Sequence, residues 1–324
     1  QQPPLAYHLL SLERYRRTVF GVDRLSFFTS RGCPHGCTFC FNQQFDRRRW
    51  RAMSPDVAVE RIVDFAERHG VGGMVLYDSN FFADLERGRR ILEGLVRSGR
   101  HIAVTRLHTR ADTLLRMEDG DFDLLHRAGC KCLSIGIESG SERIRALLGK
   151  GIDLPAVLEK NRHLRRFPLT LLYFFMMGFP TETREDLEGT IGVATTLRRD
   201  NPNVDLSFNI YTPFPGTELL EAAVRHGLRI PERTEDWTEF NYRNLAQGAP
   251  WLSREMRELV QILDFCCMFL GKKYVRPYKE TKSLAVLLAN LYAPLARWRA
   301  RHLCARFPLE IRLAKLLRLY AKQE

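Results

Sequence analysis

Three cysteines in one short loop constrain this chain more than any other feature of its sequence. Cys33, Cys37 and Cys40 follow a C-x3-C-x2-C spacing within the stretch TSRGCPHGCTFC, which begins at Thr29. This spacing lets one loop bring three thiolates to a single inorganic centre, whereas a structural zinc or an ordinary ferredoxin cluster takes four protein ligands. The loop therefore predicts either a remote fourth ligand or an iron atom with an open coordination position.

The residues around the cysteines suit a tight loop at the end of a strand. The apolar run 25–28 predicts a buried strand, and Gly32, Pro34 and Gly36 favour turns. A zinc knuckle with His35 as a nitrogen ligand is the alternative. His35 stands too close in sequence to its neighbouring cysteines to complete a tetrahedron comfortably, which disfavours zinc.

The loop resembles the cluster-binding loop of radical S-adenosylmethionine (SAM) enzymes. In that family three cysteines of this spacing hold a 4Fe-4S cluster, and SAM chelates the fourth iron. The resemblance implies that Cys33, Cys37 and Cys40 are the cluster ligands. It also implies that Phe39, the aromatic residue before the last cysteine, packs beside the adenine of SAM.

Strands and helices are predicted to alternate after this loop. Ser54-Pro55-Asp56 predicts a helix start, with apolar residues at helical spacing as far as His69. The segments 74–77, 102–107, 133–137, 169–176 and 204–211 predict further strands, each preceded by a helical segment. Six such strands predict an α/β fold with an open parallel barrel. The resemblance implies a partial (βα)6 TIM-like barrel over residues 23–245, with the cluster above its C-terminal rim. A linker over 1–22 and a basic helical extension over 246–324 complete the expected organisation.

Two strand ends carry acidic residues that the resemblance connects with SAM. Asp78 follows the second strand and resembles the acidic variant found in the cobalamin-associated branch of the family, where it would receive the SAM amino group. An Asp at a strand end is equally typical of a turn. Glu138 and Ser139 stand in the motif GIESGS, followed by Lys150-Gly151, and the resemblance implies that they line the SAM site. Alternatively, Ser139 and Ser141 cap the next helix.

Two later strand ends match the same branch. Gly178, Phe179 and Pro180 form a sharp turn, which the resemblance places near the adenine, and TPFPGT occupies residues 212–217. Arg106 and Arg110 follow the third strand and would pair with a carboxylate or be solvated. No catalytic residue is assigned. The cysteines outside the loop are expected to be buried thiols or structural; they are Cys130, Cys132, Cys266, Cys267 and Cys304.

Net charge points to the C-terminal region. The chain carries +12, and residues 281–324 hold nine Lys or Arg against two Glu. Basic amphipathic helices of this kind, interrupted near Pro294 and Pro308, bind an anionic membrane surface or a partner, or else cover the open side of the barrel. The sequence has no apolar run long enough to span a membrane. Eight cysteines, three of them clustered, favour a reducing compartment, so we expect a cytoplasmic protein that is peripheral to the inner face of the membrane if its tail binds lipid.

The resemblance implies an enzyme that cleaves SAM reductively and uses the 5′-deoxyadenosyl radical to modify an unactivated carbon by methylation, cyclisation or rearrangement. The expected substrate is a lipid, a tetrapyrrole or a natural product, and the expected electron donor is a flavodoxin or ferredoxin. Cobalamin is a further candidate cofactor, although its D-x-H-x-x-G signature does not occur in these residues. The alternatives are a radical SAM enzyme that modifies tRNA and a non-catalytic metal protein associated with nucleic acid. The absence of a recognisable RNA-binding module disfavours both.

Overall fold

The computed structural model describes residues 6–239, 249–271 and 284–306. Its backbone forms two compact units: Gln1–Pro34, Arg49–Ser134 and Phe167–Thr170 make up the first, and His35–Arg48, Ile135–Arg166 and Leu171–Glu324 make up the second. The predicted domain boundaries at 22/23 and 245/246 do not correspond to this division and stay predictions.

In the first unit, a hairpin precedes a run of parallel strands. Strand β1 (Arg17–Val19) pairs antiparallel with β2 (Val22–Phe27). Phe20 and Gly21 connect them with φ of 57° and 73°, the positive values that a two-residue hairpin turn of this kind needs. Part of the predicted linker therefore forms a strand.

The parallel strands of this unit begin at β2. β2 pairs in parallel with β5 (Gly73–Leu76), and β5 pairs in parallel with β6 (Ala103–Arg110). The short strands β3 (Ser30–Arg31) and β4 (Arg51–Ala52) form a separate antiparallel pair on either side of the cysteine loop.

Strand β7 (Cys132–Glu138) begins in the first unit and ends in the second. Within the second unit, β8 (Thr170–Met177) and β9 (Val204–Ile210) pair in parallel along seven residues, from Leu171 opposite Val204 to Met177 opposite Ile210. The six strands predicted from the sequence are therefore all present, with bounds that differ by a few residues.

Helices separate the parallel strands, as the sequence pattern predicted. They are α1 (Asn42–Phe45), α2 (Pro55–His69), α3 (Leu85–Arg97), α4 (Ala111–Arg116), α5 (Asp119–Arg127), α6 (Glu142–Leu147), α7 (Leu154–His163), α8 (Arg184–Asp200), α9 (Glu218–Arg225), α10 (Arg254–Cys266) and α11 (Leu284–Arg301). Helix α2 begins with a proline in its first turn and ends at Gly70, whose φ of 57° stops the helix. No helix in the described residues is both long and apolar enough to span a membrane.

The described part of the C-terminal region packs as an ordinary helix. The predicted interruption near Pro294 is wrong, because α11 runs through this proline without a break; a proline removes one backbone hydrogen bond, which packing can offset. Ala296, Ala300 and Leu303 are buried, and the ring of Tyr292 packs against Phe265 of α10. Pro308 and the basic residues from 307 onward lie outside the described residues.

Candidate functional site

The cysteine loop leaves β3 and runs into α1. Cys37 is buried, Cys33 and Cys40 are half-buried, and the Cys40 N–H donates to the Cys37 carbonyl at 3.0 Å. Among the residues that the structure describes, no three His, Cys, Asp or Glu side chains are close enough together to hold a metal ion. Cysteine thiolates are the usual ligands of iron-sulfur clusters, so the chemistry of these three side chains fits such a cluster.

The second half of this loop is fixed against the end of α6. The backbone N–H of Thr38 donates to Leu148 O at 3.2 Å, and its hydroxyl donates to Leu147 O at 2.9 Å. Gly149, with φ of 64°, approaches so closely that a Cβ atom there would lie 3.0 Å from Gly36 O. A side chain at position 149 would therefore push the loop away.

A buried ion pair lies beside the same part of the loop. Lys150 Nζ is 2.7 Å from Glu138 Oε1 and also donates to Gly136 O at 3.1 Å. The ammonium lies 6.0 Å from the centroid of the Phe39 ring. Glu138 has φ of 69°, which is a strained conformation for a residue other than glycine. Glu138 and Phe39, two residues expected at the SAM site, thus meet around a single lysine.

The serines after Glu138 make hydrogen bonds within the chain. Ser141 caps α6, since its hydroxyl accepts the N–H of Ile144 at 3.3 Å, and this confirms the capping alternative for that residue. The Ser139 hydroxyl accepts the N–H of Ser141 at 3.1 Å and lies 3.0 Å from Thr190 Oγ1. Ser139 is fully buried, and its hydrogen bonds serve the turn.

Asp78 lies in the first unit, in a network of its own. Its carboxylate accepts hydrogen bonds from Thr29 N at 2.7 Å, Thr29 Oγ1 at 2.7 Å and Ser30 Oγ at 2.6 Å. Arg87 donates to Thr29 O at 2.9 Å and to Met53 O at 2.8 Å. Burial lowers the pKa of the Arg87 guanidinium, opposed by the charge of Asp78. Asp78 therefore fixes the backbone that leads into the cysteine loop.

The turn after β8 contains a buried acid. Gly178, with φ of 82°, donates its N–H to Glu182 Oε2 at 2.5 Å, and Phe179 N–H donates to the same oxygen at 3.3 Å. Trp251 Nε1 donates to Gly178 O at 2.8 Å. Burial raises the pKa of Glu182 to about 8, although the two backbone N–H groups favour its charged form. Phe179 and Pro180 are buried in this turn.

The basic residues of β6 have local partners. Arg106 Nε donates to Ser134 Oγ at 2.8 Å, and Arg110 pairs with Asp112 at 3.1 Å. Burial and the nearby charge of Arg106 lower the pKa of His108 to about 4, so this imidazole is neutral at physiological pH. The expected buried thiols Cys130, Cys132, Cys266 and Cys267 are buried, and Cys304 is half-buried.

Three residues of these sites were not given a role from the sequence. Lys150 stood in a recognised motif, 12 residues after Glu138. Because a buried carboxylate needs a partner, this lysine could have been predicted to pair with it. Arg87 carried no local signal, because its partners Thr29 and Met53 are distant in sequence. Glu182 carried none, because its burial in the turn depends on the folded chain.

Comparison with known proteins shows the family of the chain. The family model described as "Radical SAM superfamily" matches residues 27–194, more than half of the chain, so the chain belongs to the radical SAM superfamily. Membership implies SAM and a 4Fe-4S cluster as cofactors. An uncharacterised methyltransferase of Pyrococcus horikoshii is 32% identical over 74% of this chain and 49% of the relative. The anaerobic magnesium-protoporphyrin IX monomethyl ester cyclase of Cereibacter sphaeroides is 27% identical over 66% of this chain and 33% of the relative.

A solved structure has the same fold. The cobalamin-dependent SAM radical enzyme OxsB with aqua-cobalamin bound matches with a TM-score of 0.60 at 15% identity, over 91% of this chain and 50% of that chain. This likeness confirms the α/β partial TIM-like barrel. The methyltransferase and cyclase relatives confirm the resemblance to the cobalamin-associated branch. The chain spans half or less of the length of these three proteins.

Proposed function

We propose that this chain is the radical domain of an enzyme that cleaves SAM reductively and modifies an unactivated carbon of its substrate. The bound cluster and SAM would supply a 5′-deoxyadenosyl radical that abstracts hydrogen. The protein's own residues would hold these cofactors, orient the substrate and exclude water. The observation that carries the proposal is the seating of the cysteine loop beside the Glu138–Lys150 pair, through Thr38 and Gly149.

Within this proposal, Cys33, Cys37 and Cys40 ligate the cluster. Glu138 is the best candidate for a SAM ligand, because a carboxylate accepts hydrogen bonds from ribose hydroxyls or from an ammonium group. Phe39, whose ring centroid lies 6.0 Å from the Lys150 ammonium, offers an aromatic face for the adenine.

The remaining residues expected at the cofactor support it less directly. The hydroxyl of Ser139 and the turn Gly178-Phe179-Pro180 are engaged within the chain, so we assign them to shaping the pocket. Asp78 is assigned to the base of the cysteine loop through Thr29 and Ser30.

Methylation and cyclisation are the proposed outcomes, since a methyltransferase and a cyclase are among the relatives. The cyclase is named for a tetrapyrrole, which supports a tetrapyrrole, a lipid or a natural product of similar bulk as substrate. Cobalamin belongs to the proposal as a cofactor of methyl transfer, because it is bound in the OxsB structure. No cobalamin ligand is assigned in this chain.

A low-potential flavodoxin or ferredoxin is the proposed electron donor, and the cytoplasm is the proposed location. The described tail gives membrane contact little support. Arg297 donates to Phe269 O at 3.0 Å, while Arg299 is buried and donates to the carbonyls of Cys304 and Arg306. These contacts favour the alternative that the tail covers part of the protein.

The proposal is tested by anaerobic reconstitution with iron and sulfide. We expect one 4Fe-4S cluster with broad visible absorbance, and we expect the combined replacement of Cys33, Cys37 and Cys40 by Ala to abolish it. Cys304→Ala is the matched control, since it removes a half-buried thiol outside the loop and leaves the cluster intact. A colourless protein that holds one tightly bound zinc would refute the proposal.

A further inference from the structure

Exposed aromatic rings follow the cysteine loop directly. Phe41 is the residue after Cys40, and its ring lies 6.1 Å from that of Phe45 and 6.0 Å from that of Phe214. Phe45 is 80% exposed, Phe41 47% and Phe214 46%. Large apolar side chains that are clustered and exposed mark interaction sites more often than single ones do. We call these three rings the aromatic patch.

Basic residues border the aromatic patch. Arg47 and Arg48 are exposed and follow α1 directly, and both have positive φ, 51° and 56°. Arg48 donates to Gln43 Oε1 at 3.0 Å and lies 3.8 Å from the exposed Glu218. Arg47 has no ion-pair partner in the part of the chain that the structure describes. The border therefore presents at least one uncompensated positive charge, and it would attract an acidic partner.

The aromatic patch lies beside the loop that is proposed to bind the cluster, which is the centre that a donor protein would reduce. Phe41 is covalently adjacent to a proposed cluster ligand, and Gln43 N–H donates to the Cys40 carbonyl at 3.2 Å. Electron transfer slows steeply with distance, so a donor protein has to dock close to the cysteine loop. An apolar centre with a charged border is the usual composition of a transient docking surface.

We propose that the aromatic patch and Arg47 form the docking surface for an acidic, flavodoxin-type electron donor; this inference rests on the proposed function. The docked donor loses one electron. With the cluster held by Cys33, Cys37 and Cys40, that electron would supply the reductive cleavage of SAM at its C5′–S bond. The products would be methionine and 5′-deoxyadenosine, which takes its added hydrogen atom from the substrate.

The experiment compares two reductants on the reconstituted protein. Phe45→Ser and Arg47→Glu are each assayed for 5′-deoxyadenosine formation with reduced flavodoxin and with dithionite. We expect each variant to lose about tenfold of its rate with flavodoxin at low salt, because docking and steering weaken. With dithionite, a small reductant that needs no docking surface, the rate is expected to stay unchanged. Added salt should slow the flavodoxin reaction of the unmodified protein and have little effect on Arg47→Glu.

The controls are Ile230→Ser and Arg229→Glu, which replace an exposed apolar residue and an exposed arginine after the C-terminal end of α9. They should leave both rates unchanged. The docking surface would be overturned if the Phe45 and Arg47 variants kept the rate of the unmodified protein with both donors. It would also be overturned if they lost rate equally with both donors. A self-association that these substitutions abolish, with the flavodoxin rate intact, would assign the patch to a second copy of the chain and also overturn it.

Failure of the proposed function is distinguishable from failure of this inference. If the unmodified protein forms no 5′-deoxyadenosine even with dithionite, the proposed function fails. Flavodoxin binding, measured by calorimetry on the same variants, then still tests the surface: a loss of affinity in Phe45→Ser and Arg47→Glu supports it, and unchanged affinity refutes it.

Discussion

Two buried carboxylates, Asp78 just after strand β5 and Glu138 at the end of strand β7, have different neighbours. Asp78 is 1% exposed and accepts three hydrogen bonds from Thr29 and Ser30. Glu138 is 7% exposed and is paired through Oε1 with Lys150. Within the described residues, the second oxygen of Glu138 has no hydrogen-bond donor.

This difference separates two roles that the sequence does not distinguish. A carboxylate can accept about four hydrogen bonds, and one that already accepts three from Thr29 and Ser30 has little capacity left for a ligand. Asp78 therefore positions the chain in front of the cysteine loop. Under the proposed function, the second oxygen of Glu138 would accept hydrogen bonds from a ligand, and Lys150 compensates the charge of the carboxylate.

The largest expected effect is on folding, from Asp78→Ala. The substitution leaves the Thr29 N–H and two hydroxyls buried without an acceptor and removes the anion near Arg87. We expect a loss of about 3–5 kcal/mol in the free energy of unfolding, measured by urea denaturation. The iron content after reconstitution should fall as well, because the start of the cysteine loop is no longer held.

Asp56→Ala is the control for this prediction. Asp56 is an exposed acid in the first turn of α2, so its loss should cost at most about 1 kcal/mol. If Asp78→Ala were as stable as this control but unable to bind SAM, Asp78 would be a ligand after all and the contrast between the two carboxylates would be broken.

A smaller effect, on SAM affinity, is expected from Glu138→Gln. Loss of the charged acceptor should weaken SAM binding by about 10-fold to 100-fold in an equilibrium titration, the equivalent of one charge-assisted hydrogen bond. Iron content should be unchanged, because the loop is seated through Thr38 and Gly149 and not through this carboxylate.

The double variant Glu138→Gln/Lys150→Met sharpens this test. It removes the lysine charge that the single variant leaves buried without a counter-ion, so stability should recover while SAM affinity stays low. Full recovery of SAM affinity would mean that Glu138 acts only by compensating Lys150. An equal loss of iron and SAM in the single variant would assign Glu138 a folding role.

The alternation of strands and helices was predictable because parallel strands that are buried on both faces appear as apolar runs, and the six segments from Leu25 to Tyr211 carry that pattern. The cysteine loop was predictable because its proposed ligands are close together in sequence.

Other features were not predictable. The sequence placed Glu138 and Lys150 in one motif but did not indicate that their side chains pair. The role of Asp78 was not visible because its partners, Thr29 and Ser30, are 49 and 48 residues away in sequence. That of Glu182 was not visible because its burial depends on the folded chain. The continuity of α11 through Pro294 was missed because packing outweighed a local propensity.

Glu182, which follows β8, is a third buried acid. Within the described residues, its carboxyl group has no cation in direct contact, which extends the comparison. Its pKa is raised by burial to about 8, above the ordinary value of 4.5, so the folded protein holds a proton that the unfolded chain releases. Stability from this group is therefore fully present below about pH 4.5 and is lost as the pH rises through about 8. Between pH 6 and pH 7 the loss is about 1.4 kcal/mol.

Glu182→Gln keeps an acceptor for the N–H groups of Gly178 and Phe179 and has no proton to lose. Urea unfolding of both proteins at pH 6 and pH 7 should therefore show the unmodified chain weakening relative to the variant. If the two proteins change in parallel, Glu182 is charged in the folded state, and two backbone N–H groups suffice to stabilise a buried carboxylate in this turn without the lysine that Glu138 has.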